Sequence, residues 1–147
     1  MKKVLLYTDG ACSGNPGAGG WASVLVYNQK KKELSGGESQ TTNNRMELKA
    51  VIEGLRAIKE KCEVEVYSDS AYVINAFALK WVDNWVKNGW MTASKNKVQN
   101  QDLWEELIKL SAKHEVSWNK VKGHADDELN NRCDELARAE VEKYLKV

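Results

Sequence analysis

The sequence predicts an α/β fold: a mixed five-stranded sheet, made of a three-stranded antiparallel meander plus two parallel strands, with helices on both faces. The first ground is Val4-Leu5-Leu6-Tyr7, an unbroken apolar run that suits a strand buried on both sides and so central in its sheet. The second is that two further strand-like segments follow across short turns, as antiparallel neighbours do. The third is that each later strand-like segment is reached through a helical one, the connection that parallel strands require.

Taken in order, the central strand delivers Asp9 where it ends and a glycine-bearing turn begins. Residues 11–20 are dense in turn formers and hold the only proline, Pro16, so an irregular turn is expected there. Residues 21–27 return as a strand, 28–32 form a polar hairpin turn, and 32–41 make a weaker outer strand. Thr41-Thr42-Asn43-Asn44 opens a helix in which Leu48, Val51, Leu55 and Ile58 recur at helical spacing, closed by Lys59-Glu60-Lys61. Val64 and Val66 alternate with Glu63 and Glu65, giving a fourth strand that ends in Tyr67-Ser68-Asp69.

Residues 70–79 and 80–88 read as short helices, the second stopped by Gly89. A polar loop over 92–100 precedes a helix marked by Leu103, Trp104, Leu107, Ile108 and Leu110. Val116, Trp118 and Val121 suggest the fifth strand, with Gly123-His124-Ala125 in the loop beyond. Asp126 or Asp127 can cap a last helix whose apolar face carries Cys133, Leu136, Ala137, Val141 and Tyr144.

A chain of 147 residues fits one domain, 1–147, with a single substantial core. Its 42% hydrophobic and 29% charged content is that of a globular protein. The net charge of +1 announces no global basic field, so an anionic polymer would have to be held by a local patch. Cys12, Cys62 and Cys133 are odd in number and far apart, and no stretch is long and apolar enough to cross a bilayer. The expected location is the reducing cytoplasm, without membrane contact.

Two predicted strands end in an acid, Asp9 and Asp69, and ligand crevices of α/β sheets lie outside the carboxyl ends of the strands. Glu47, in the first turn of the first helix, and Asp134, about two turns into the last, can face the same crevice. Each also has an ordinary explanation. Glu47 can complete a capping box with Asn44, Asp69 can cap the next helix, and Asp134 can pair with Arg138 one turn on. Gathered together, they need a different account. Two carboxylates about 4 Å apart repel by roughly 4 kcal/mol at an effective dielectric near 20, so a cluster requires cations or shifted pKa values. Hard oxygen ligands suit Mg²⁺ or Mn²⁺, and a pair of such ions suits phosphodiester cleavage.

At these residues the chain resembles bacterial type 1 ribonuclease H. The likeness runs through Tyr-Thr-Asp-Gly at 7–10, Gly-Asn-Pro-Gly at 14–17 and Thr-Thr-Asn-Asn-Arg-Met-Glu-Leu at 41–48. It continues through Ser-Asp-Ser at 68–70, Trp-Val-Lys-Asn-Gly-Trp at 85–90, Val-Lys-Gly-His at 121–124 and Asn-Arg-Cys-Asp-Glu-Leu-Ala at 131–137. The resemblance implies a ribonuclease H-like sheet and a monomeric endonuclease that hydrolyses the RNA strand of RNA–DNA hybrids, leaving 5′-phosphate and 3′-hydroxyl ends. It implies that Asp9, Glu47, Asp69 and Asp134 hold two Mg²⁺ ions, with Asp9 shared, and that Mn²⁺ can substitute. It gives His124 a part in proton transfer or product departure; His114 is expected to be solvent-exposed and without function. The alternative is a hybrid-binding module of the same fold without catalysis.

By the same resemblance, Cys12 (through its backbone), Asn15, Asn43 and Asn44 lie along the minor-groove edge of the RNA strand. Thr42 and Asn100 match a pocket for a DNA phosphate. Trp81, Trp85 and Lys87 sit in a second binding segment over 80–97, where aromatics and lysines interleave. Trp81 is expected to be partly exposed, and Trp85 and Trp90 mostly packed. Gln40, Ala71 and Val86 replace, respectively, an arginine, a glutamine and part of a basic cluster in well-known relatives, which points to weaker hybrid binding.

Overall fold

The protein is described by a computed structural model that covers residues 1–121 and 127–145; His124 lies outside the described residues. Five strands, β1 (Lys3–Gly14), β2 (Gly17–Tyr27), β3 (Lys30–Thr41), β4 (Glu63–Ser68) and β5 (Glu115–Lys120), form one sheet in the order β3-β2-β1-β4-β5. β1, β2 and β3 are antiparallel neighbours, whereas β4 runs parallel to β1 and β5 parallel to β4. The five helices are α1 (Asn43–Arg56), α2 (Ala71–Ala78), α3 (Trp81–Asn88), α4 (Gln101–Ser111) and α5 (Glu128–Leu145).

Alternation along the strands divides the interior in two. Leu6, Leu25, Val64 and Val66 join Leu48, Val51, Leu55, Val73, Trp104 and Leu107 in the main core, under α1, α2 and α4. Ala22 and Val24, with Tyr7 against them, join Cys133 and Ala137 in a smaller core under α5. Trp104 is fully buried, with Trp85 edge-on at 5.3 Å and the rings of Tyr72 and Phe77 tilted against it. That cluster ties the short helices α2 and α3 to α4.

Three expectations are corrected. Residues 11–20 are not an irregular turn: β1 continues to Gly14 and pairs with β2 from Gly17 onward. The small residues there let helices close in, since a Cβ on Gly20 would stand 2.2 Å from the Ala137 carbonyl oxygen on α5. The next hairpin turn is shorter than expected, just Asn28 and Gln29, whose φ of 48° and 67° are the left-handed pair a tight two-residue turn needs. His114 is not exposed: it is buried, and its Nδ1 accepts a hydrogen bond from the Cys62 amide at 3.1 Å. Burial holds its pKa below the ordinary value, as an acceptor imidazole requires.

Candidate active site

β1 and β4 pair at a constant offset, Lys3 with Glu63 through Tyr7 with Tyr67. The same offset carried two residues further sets Asp9 level with Asp69. β4 has ended by then, at Ser68, while β1 runs on beside β2. A crevice opens where β1 loses its parallel partner, and both carboxylates stand at its mouth. Asp9 therefore sits within its strand rather than at its end, which corrects the sequence-based expectation.

Glu47 comes to this crevice because α1 packs unusually close to β1. A Cβ on Gly10 would lie 2.5 Å from the Glu47 amide nitrogen and 2.6 Å from the Met46 carbonyl carbon, so only glycine permits the approach. The helix cap is Thr42, whose Oγ1 accepts from the Arg45 amide at 3.3 Å. Glu47 therefore lies beyond the first turn and takes no part in a capping box. Nor does Asp69 cap α2; Ser70 does, its Oγ accepting from Val73 at 3.3 Å. Asp127 provides the oxygen that accepts from the amides of Leu129 and Asn130 at the start of α5.

One carboxylate oxygen from each of Asp9, Glu47 and Asp69 lies within 4.8 Å of the others. Asp134 lines the same cleft of about 420 Å³, together with Asn43, Tyr72, Asn130 and Asn131. Its Oδ2 also meets Arg138 at 2.9 Å, so the expected pair and the crevice position coexist. Asp9 and Glu47 are each only 5% exposed. Asp9 Oδ1 accepts from the Gly10 amide at 2.9 Å, while Glu47 Oε2 is buried with no hydrogen-bond partner. An orphaned buried carboxylate oxygen beside two other acids is an acceptor set waiting for a cation.

The electrostatics agree. Burial, then the charges of Asp69 and Asp134, push the Asp9 carboxyl up to about 7. Burial, then Asp9 and Asp69, hold Glu47 well above the usual carboxylate range. Both acids thus keep protons in the folded protein that they release when unfolded. Metal-free stability is therefore expected to fall as pH rises from about 4 through about 7, the window of Asp9, with Glu47 acting in the same direction. A divalent ion should remove most of that loss. Urea unfolding at several pH values, with and without Mg²⁺, measures it; a metal-free stability that rises over this window would contradict the site electrostatics.

The remaining sequence-predicted positions divide into two groups. At the β1–β2 hairpin, Asn15 Oδ1 accepts from the Asn43 amide at 3.2 Å, and Asn44 follows on α1. Half-buried Cys12 turns its thiol toward the carbonyls of Gly17 and Thr41. Asn100 is tied to α1 through Arg45, its Oδ1 accepting from the guanidinium at 3.2 Å and its Nδ2 donating to the Tyr72 hydroxyl at 3.0 Å. Away from the acids, α3 exposes Trp81 and Lys87, and Trp85 packs inward on Trp90 at 6.1 Å. Trp81, Trp85 and Lys87 line a separate cleft with Asn84, Asn88, Met91, Thr92 and Ala93. Arg45, which bridges α1 to Asn100, was missed from sequence, although it lies within the 41–48 motif. Its place three residues after the helix cap was the available signal.

A family model described as RNase H matches residues 1–142. A ribonuclease H of Moorella thermoacetica is 60% identical over 141 residues, covering 96% of this chain and 93% of that protein. Among solved structures, LC9-RNase H1, a type 1 RNase H with the type 2 active-site motif, is 30% identical with a TM-score of 0.88, covering 98% of this chain and 74% of that one. LC11-RNase H1, solved in complex with an RNA/DNA hybrid, shares the fold at 24% identity and a TM-score of 0.65, covering 97% and 99%. With a relative this similar over nearly its whole length, the chain belongs to the ribonuclease H family, the metal-dependent endonucleases that hydrolyse the RNA strand of RNA–DNA hybrids.

Proposed function

We propose that residues 1–147 act as one ribonuclease H domain whose cleavage centre is the crevice of Asp9, Glu47, Asp69 and Asp134, which would hold two Mg²⁺ ions. The observation that carries this is the convergence of three carboxylate oxygens within 4.8 Å, with Glu47 Oε2 buried and without a hydrogen-bond partner. Carboxylate-only donors fit a hard ion, and Mn²⁺ fits the same set. Such ions, when bound, lower the pKa of an attacking water and stabilise charge on the scissile phosphate and the leaving 3′ oxygen.

The chain's own side chains place the hybrid. Asn15, Asn43, Asn44 and the Cys12 backbone meet ribose 2′-hydroxyls along the RNA strand, which is how the protein tells RNA from DNA. Thr42 and Asn100, beside the amino end of α1, take a phosphate of the DNA strand. Trp81 and Lys87, with Trp85 behind them, extend the contact from α3. His124 assists proton transfer or departure of the product. The three cysteines are unpaired, which accords with the reducing cytoplasm, and no helix among the described residues is long and apolar enough to cross a membrane; the domain would act there as a monomer.

The test is incubation of labelled RNA–DNA hybrid with the protein and Mg²⁺, beside single-stranded RNA and duplex DNA. Internal cuts in the hybrid RNA alone, with 5′-phosphate and 3′-hydroxyl ends, are expected. Retention of the hybrid without cleavage would instead support a binding module. Because the net charge is +1 and Val86 is exposed on α3, log affinity should fall shallowly with log salt. A steep slope, that of many phosphate contacts, would contradict this account of hybrid binding.

A further inference from the structure

Arg45 is not free to meet a phosphate. Its Nη2 donates to Asp102 Oδ2 at 2.8 Å and its Nη1 to Asp102 Oδ1 at 3.0 Å, a two-bond fork across α1 and α4. The same Nη1 reaches Asn100 Oδ1 at 3.2 Å. Asn100 is itself oriented by the Tyr72 hydroxyl, which also accepts from Trp104 Nε1 at 3.0 Å. The guanidinium thus lies beside Asn100, on a residue whose amide meets the Thr42 hydroxyl, yet two of its best donors already face a carboxylate. That carboxylate is 65% exposed and sits in the first turn of α4. Glu38 is a further acid whose charge acts on Arg45, and Lys49 pairs with it.

We propose that Asp102 is a built-in competitor for the phosphate site: it occupies Arg45 in the free protein and so limits how tightly the DNA strand of a hybrid is held. This rests on the assignment of Thr42 and Asn100 to a phosphate. An incoming phosphate must either displace the Asp102 carboxylate from the fork or lie beside it as a like charge, and both lower affinity. An exposed pair of this kind exchanges readily, since water compensates each charge. The arrangement favours release after cleavage over tight retention.

The test is equilibrium binding of a short RNA–DNA hybrid in Ca²⁺ by the wild type, D102N, R45Q and the double variant, with thermal unfolding recorded for each. D102N is expected to bind about fivefold tighter at low salt, with a salt slope steeper by close to one phosphate contact. The gain should vanish in the R45Q background. Equal or weaker binding by D102N would overturn the proposal, making Asp102 a support that aims Arg45. A gain that persists without Arg45 would also overturn it, leaving only a net-charge effect. If the wild type neither binds nor cleaves hybrid, the ribonuclease assignment fails first; if it does both and D102N is unchanged, only the competitor role fails.

Discussion

Asp9→Asn is expected to lower hybrid cleavage by roughly three orders of magnitude while making the metal-free protein more stable at neutral pH. Both effects follow from one placement. Asp9 is 5% exposed, faces Glu47 and Asp69 within a 4.8 Å cluster, and is raised to about 7 by burial and by the charges of Asp69 and Asp134. A neutral amide of the same shape removes a like charge from the cluster and needs no proton to fold, so stability should rise by about 1–3 kcal/mol near pH 7. The gain should shrink toward pH 4, where the native carboxyl is already protonated. The same amide is a poorer ligand for a divalent ion, so turnover is lost. A variant that cleaves at near-normal rates, or one that is less stable than the wild type at pH 7 without metal, would contradict the assignment.

Gly10→Ala should damage stability and activity together. The new Cβ would meet backbone atoms, the Glu47 nitrogen at 2.5 Å and the Met46 carbonyl carbon at 2.6 Å, and no side-chain rotation relieves that. α1 must move away from β1, which opens packing around Met46 and Leu48, both fully buried. A destabilisation of about 2–3 kcal/mol is expected. Because Glu47 moves with the helix, activity should fall by about a hundredfold even where the variant remains folded. Guanidinium unfolding and cleavage rates on the same preparation separate the two effects. Near-native values for both would mean that the close approach of α1 does not position Glu47.

The order of elements and the meeting of Asp9 with Asp69 were legible in the sequence because each rests on local signals. An unbroken apolar strand, an alternating one and a helix between them dictate parallel neighbours, and the constant register of parallel neighbours sets Asp9 level with Asp69. What was illegible depends on partners far away in sequence. Residues 11–20 read as a turn because glycine and alanine carry no period-two signal. They are strand because β3 and α5 pack against them, as the Ala137 carbonyl does at Gly20. His114 read as exposed because its partner, the Cys62 amide, is 52 residues away. The cap of α1 was ambiguous for the opposite reason: four consecutive residues, Thr41 to Asn44, are all good caps, and only the packing of Met46 and Glu47 selects Thr42. That choice places Glu47 inside the helix, where burial leaves its Oε2 unpartnered.

The most direct measurement is a titration of the wild type and Asp9→Asn with Mn²⁺, following bound ion by its paramagnetic effect on water relaxation. Saturable binding by the wild type, strongly weakened in Asp9→Asn and strengthened as pH rises through about 7, is the predicted result. Equal binding by the two proteins would mean that these acids do not share a metal, and that cleavage must be built elsewhere.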